Sequence, residues 1–224
     1  MLTEDELAFS NFSGIARLFP LPNLVLLPHV EQGLHIFETR YLDMTVDTLR
    51  DDHLIALVLL LADPVEAERP IIAPVACLSR ILAHEELPDG RFNLRVRGIA
   101  RMRILDELPM GEKLYRQAHG QLVGDVIPAD IATMIYLRKE LRDAVLGRFD
   151  PSGSAYRQID DLFDSDTTLP EICDLLGYAL PLPTELKQHL LAEPLVTKRA
   201  EMLTHAMLHN PRKDRPFPPK FSDN

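Results

Sequence analysis

The chain has 224 residues, 46% of them hydrophobic, and a formal net charge of -10. That is enough apolar material to fill a core, while the acidic average field disfavours general affinity for nucleic acid or anionic membranes. Cys77 and Cys173 are the only cysteines and lie far apart, so neither a disulfide framework nor metal-ligand spacing is present, and a reducing cytosol is the expected compartment.

The first ten residues, MLTEDELAFS, are acidic and lack the basic and then apolar pattern of a secretory leader. The longest apolar run, residues 54–62, is about half of the roughly 20 residues that a membrane-spanning helix needs, so no membrane partner is expected. Residues 18–41 read LFPLPNLVLLPHVEQGLHIFETRY. Pro20, Pro22 and Pro28 forbid a helix interior and withhold donors from a central ladder, which predicts short strands or extended chain joined by fixed turns. The box His35, Ile36, Phe37, Glu38, Thr39, Arg40, Tyr41 then leads into a helix over 41–49.

The stretch 53–61, aliphatic after His53, predicts a strand buried on both faces. After a polar excursion over 64–74, residues 75–84 predict another strand, and the turn Pro88, Asp89, Gly90 joins it to the clearest one. In residues 91–104 every even position is Phe, Leu, Val, Gly, Ala, Met or Ile, and the odd positions are Arg, Asn or Ile. A strict period of two sends one face into a core. At about 3.3 Å per residue such a strand is roughly 40 Å long, too long for a small domain, so a bend or bulge is expected at Gly98. Residues 115–123 form the last predicted strand.

From Pro128 the period becomes helical. Residues 130–147 place Ile131, Met134, Leu137, Leu141, Ala144 and Val145 on one stripe, with Gly147 as the stop. Residues 150–166 are polar and acidic and predict a loop with a short turn at 159–163. Thr168 and Glu171 form a capping box for a helix to about residue 176, and Pro183 and Pro194 open helices over 184–191 and 195–209. The fold class is α+β, a β-rich half followed by a helical half.

The proline-broken segment and its box resemble the opening of the amino-terminal, substrate-binding domain of ATP-dependent Lon proteases. Two departures stand out: His29 follows Pro28 where the family carries Pro-Gly, and Thr39 follows Glu38 where it carries Pro. ELPDGRFNLRVRGIARMRIL resembles the family's second recurrent segment, and GYALPLPTELKQHLLAEPLVTKRAEMLTHAM the third. The resemblance implies a PUA-like β-barrel subdomain followed by an α-helical subdomain. The expected division is an extension over 1–16, the barrel over 17–125, the helices over 126–210 and a mobile tail over 211–224.

No G-x-x-x-x-G-K-[ST] loop or G-x-S-x-G elbow is present, and the chain ends at Asn224 without room for a protease domain. The resemblance therefore implies a free-standing recognition module, with no enzymatic activity, catalytic residue or cofactor expected. His205 and His209 lie four apart but lack an H-E-x-x-H frame, and no metal site is assigned. The group Asp160, Asp161, Asp164 and Asp166 reads as a solvated loop.

Two surfaces remain as binding candidates. One is the box, where His35, Phe37, Glu38, Arg40 and Tyr41 would border a groove for unfolded or degron-bearing polypeptides, unless these residues only brace the strand-to-helix junction. The other is the outward row Arg91, Arg95, Arg97, Arg101 and Arg103, which would take an anionic partner unless neighbouring carboxylates pair with it. Polypeptide recognition, as an adaptor or holdase-like factor acting with a separate protease or chaperone, is the leading expectation. RNA binding, known for PUA-like domains elsewhere, is the alternative, disfavoured by the acidic chain and by the absence of aromatics in the arginine row.

Overall fold

The computed structural model describes residues 12–61 and 70–209. The expected N-terminal extension up to residue 11, much of the polar excursion and the expected tail lie outside the described residues. Two compact units divide at the Val123/Gly124 peptide.

The first unit contains β1 (Ile15–Leu21), β2 (Glu31–Ile36), α1 (Thr39–Arg50), β3 (Leu54–Leu59), β4 (Val75–Glu86), β5 (Phe92–Glu107) and β6 (Gln117–Val123). All its strands belong to one sheet in the order β2-β5-β4-β3-β1-β6, and a further β5–β6 pairing closes a ring of five strands with β2 outside it. Closure follows from the length of β5. One of its edges pairs with β4 from Phe92 to Arg103, while the other serves β2 over Phe92–Arg97 and β6 from Arg101 onward.

Gly98 stands at the handover between those two neighbours. Its N–H donates to the Val30 carbonyl at 2.9 Å and its carbonyl accepts from His29 N–H at 2.8 Å. A Cβ at this position would overlap the Leu27 carbonyl oxygen and lie 2.8 Å from Cys77 Sγ, so only glycine fits. The ladder slips beside it: Ser79 pairs with Gly98 and Leu78 with Ala100, leaving Ile99 as the extra residue of a bulge. The expected distortion is there, with the bulged residue one place beyond the glycine.

The alternation of β5 places Phe92, Leu94, Val96, Ala100 and Met102 in the core, together with Leu18 of β1 and Leu78 of β4. β3 lies between β1 and β4, and all six of its residues are buried, as its aliphatic sequence requires. Pro20 is tolerated within β1 because β6 pairs only with Ile15–Arg17, so the ladder on that side has ended before the proline.

The second unit holds α2 (Ile131–Leu146), α3 (Ser154–Asp164), α4 (Leu169–Ala179), α5 (Thr184–Ala192) and α6 (Val196–His209). Asp130 caps α2 by accepting from the N–H groups of Ala132 and Thr133, and the Thr168/Glu171 capping box of α4 is formed. Leu137, Leu141 and Val145 of α2, Ile172 and Leu176 of α4, and Ala200 and Leu203 of α6 are buried. Among them lies a charge. Arg199 is fully buried, with Nη1 2.7 Å from Asp174 Oδ1 and Nη2 2.8 Å from Asp125 Oδ1.

Two expectations are corrected in this unit. Residues 154–164 form an eleven-residue helix, not a loop with a single turn. Its supports are long-range: Arg138 donates to the carbonyls of Phe163, Ser165 and Thr167 at the C-terminal end, and Arg142 pairs with Asp160 and Asp164. Two of the carboxylates read as a solvated group therefore share one guanidinium. Secondly, Ile131 is not in the core but 74% exposed, and the buried residues of α2 begin at Leu137.

Candidate functional site

Pairing of β2 with β5 brings the two candidate surfaces together. The register sets Glu31 opposite Arg97, Gly33 opposite Arg95 and His35 opposite Asn93. His35 therefore joins a chain of polar contacts. Its Nε2 accepts from Arg91 Nη1 at 3.2 Å, its Nδ1 donates to Asn93 Oδ1 at 2.8 Å, and Asn93 Nδ2 donates to Glu85 Oε2 at 3.1 Å. The tautomer follows from this network, since a guanidinium can only donate.

Beyond β2, residues of the box divide between core and solvent. Ile36 is 1% exposed, and the Tyr41 ring meets Phe19 edge to face at 4.6 Å between centroids. Burial pushes the Tyr41 phenol above its ordinary pKa. Phe37, in contrast, is 56% exposed and stacks on His35 at 6.0 Å. Arg40 donates to Glu38 Oε2 from Nε at 3.0 Å and Nη2 at 2.6 Å, and its guanidinium carbon lies 4.8 Å from the Tyr41 centroid. Glu38 itself is the residue before α1, with extended backbone and its carbonyl accepting from Leu42 N–H.

Both departures from the family pattern have a local explanation. His29 has φ of 66°, in the left-handed region that glycine occupies without strain. Thr39 is the first residue of α1, a position where proline is favoured but not required.

α1 is anchored to the segment before β6. Lys113 Nζ and the Tyr115 hydroxyl both donate to Asp47 Oδ2, at 2.6 and 2.7 Å. The Lys113 bond, followed by that from Tyr115, holds the Asp47 carboxyl below its usual range. Burial and then the Asp47 bond push the Tyr115 phenol up to about 12. Since the folded-state value of Asp47 is depressed, its contribution is present above pH 4 or so and is lost as pH falls further. The Tyr115 contribution is complete below about pH 10 and is lost as pH rises toward 12. In thermal melts across pH 2–7, Asp47→Asn is expected to show a shallower acid decline than the parent protein; identical declines would refute this role.

The arginine row is not one open face. Arg101 is 3% exposed, which corrects its assignment to an exterior row: beyond the bulge β5 is flanked by β4 and β6, and Ile99 and Arg101 are both covered. Arg97 and Arg101 are engaged within the protein. Arg91 pairs with Asp89 at 2.5 Å, and Arg95 Nε lies 3.9 Å from Glu31 Oε2. Arg103 is exposed. Among the five, Arg91, Arg95 and Arg97 border the box and β2.

An apolar surface on the helical unit was not anticipated. Val126, Ile127, Ile131, Ile135 and Tyr136 are each between 49% and 74% exposed. The signal was in the sequence, since Ile131 and Ile135 share a face and Tyr136 is adjacent, but assigning Ile131 to the core stripe concealed it. Among the described residues there is no group of three or more His, Cys, Asp or Glu able to hold a metal. The rings of His205 and His209 stack on each other, and His209 Nδ1 donates to the His205 carbonyl. No helix of the described residues is long and apolar enough to cross a membrane.

Comparison with protein families matches residues 15–209 to the ATP-dependent protease La (LON) substrate-binding domain. A search of curated proteins returned no match. Among solved structures, the Lon N-terminal domain protein from Xanthomonas campestris superposes with a TM-score of 0.62 at 25% identity, over 85% of this chain and 97% of that one. The N-terminal domain of Mycobacterium avium complex Lon protease gives a TM-score of 0.69 at 18% identity, over 87% and 98%.

Proposed function

The chain belongs to the Lon substrate-binding domain family, and from that premise we propose that it recognises unfolded or degron-bearing polypeptides without catalysis, through the exposed end of β2 and the turn into α1. The observation that carries this reading is Phe37. Its apolar neighbours in the box, Ile36 and Tyr41, are spent on the core, whereas Phe37 keeps more than half of its surface in solvent beside charged and hydrogen-bonding groups. An aromatic contact with polar groups around it suits an extended chain that presents side chains and amides together.

The family and the fold support substrate binding; the roles of adaptor or holdase, the separate protease or chaperone partner and the cytosolic setting are our extension of it. The arginine row lends RNA recognition little support, because Arg101 is buried, Arg97 is engaged within the protein, and Arg91 and Arg95 have carboxylates beside them, while Arg103 is exposed.

Fluorescence anisotropy with reduced, carboxymethylated α-lactalbumin, a permanently unfolded polypeptide, tests the reading. Phe37→Ala is expected to weaken binding roughly tenfold, the effect of truncating an aromatic anchor. Equal affinities would remove Phe37 from the surface. Binding no tighter than to native α-lactalbumin would overturn polypeptide recognition altogether.

A further inference from the structure

β2 is bonded on one side only. Its partner is β5, and among the described residues no strand pairs with its other edge. The bond from Gly98 N–H to the Val30 carbonyl fixes which peptide groups point which way. In an antiparallel pair, hydrogen-bonded and non-bonded positions alternate. With Val30 opposite Gly98 bonded, the peptide groups of Gln32, Leu34 and Ile36 face β5, and those of Glu31, Gly33 and His35 face the open edge. Glu31 and Gly33 are exposed. The centre of this edge is a glycine, which carries no side chain to crowd a second backbone.

We propose that the open edge of β2 takes the bound polypeptide as an added strand. What the edge offers is main-chain donors and acceptors at strand spacing, and the matching occupant is an extended backbone. The Gly33 carbonyl already accepts from Gln32 Nε2 at 2.6 Å, so the Gly33 N–H is the central free donor of the edge.

The ends of the edge set the side chains that fit. At one end Phe37, stacked on His35, offers an aromatic rim suited to an apolar side chain; at the other stand Glu31 and Arg95, which suit a polar one. Phe37 then packs on the first side chain of the added strand, beside the backbone ladder. The inference rests on polypeptide recognition at this site and adds the mode of binding.

Amide hydrogen exchange on the whole protein, with and without saturating carboxymethylated α-lactalbumin, decides the question. The Gly33 and His35 amides are expected to slow at least tenfold on binding. In parallel, Gly33→Pro removes the central donor at an edge position, and is expected to weaken binding tenfold or more with an unchanged circular dichroism spectrum. If the unfolded probe binds while both amides exchange at their free rate, or if a folded Gly33→Pro binds as tightly as the parent, strand addition is wrong and recognition at the site stands. Failure of the probe to bind the parent protein overturns both.

Discussion

Asp174→Ala is expected to destabilise the helical unit by about 3–5 kcal/mol, measured by urea unfolding followed by circular dichroism. The side chain of Arg199 is completely buried and that of Asp174 is 1% exposed. Deleting the carboxylate leaves a guanidinium out of water with Asp125 as its remaining acidic partner. The cost is that of a stranded charge, larger than the net contribution of the intact pair. Replacing both partners, Arg199→Met with Asp174→Leu, is therefore expected to recover most of the loss. A small effect from Asp174→Ala alone would show that water reaches the guanidinium.

The second large effect is expected at Gly98. Gly98→Val places a branched side chain against the Leu27 carbonyl and Cys77 Sγ, where neither backbone nor sulfur can yield cheaply. The 27–30 segment would have to move, breaking both bonds that Gly98 makes to His29 and Val30. A loss of about 3 kcal/mol or more is expected, seen as a lower thermal midpoint of the β unit. Gly33→Ala is the control: open space surrounds it, and a change within about 0.5 kcal/mol is expected. Comparable losses at the two glycines would mean that general strand propensity, and not the close approach of the chain, governs Gly98.

Much of this architecture was legible because it is written in local periods. The alternation in β5 fixed its inward face, and Gly98 could be singled out since a strand of that length cannot stay straight inside a small domain. The capping box at Thr168 and Glu171 was equally readable. Helix α3 was not, because its sequence carries the acidic residues of a loop and its stability comes from Arg138 and Arg142 on another helix. Nor could the burial of Arg199 be read, since it lies in a run, TKRAE, that looks solvated.

The candidate site shows the same boundary between local and distant information. The composition of the box, and the contrast of Phe37 with Ile36, could be guessed from the segment alone. That His35 touches Arg91 could not. The contact depends on the register of β2 against β5, which the Gly98 to Val30 bond sets across more than sixty residues of sequence.

One consequence of the ring concerns its ends. Ile15, at the start of β1, pairs with His119 in β6, and Gly120 N–H donates to the Gly14 carbonyl at 2.9 Å. The chain thus enters and leaves the β unit at neighbouring points, so this unit is topologically a closed excursion from a single anchor. A circular permutant that bridges those points with a short linker and opens at the exposed Pro88–Gly90 turn would keep every ladder of the sheet. By the same token, other sequence can be joined at the anchor without threading the barrel, which makes the unit portable between longer polypeptides.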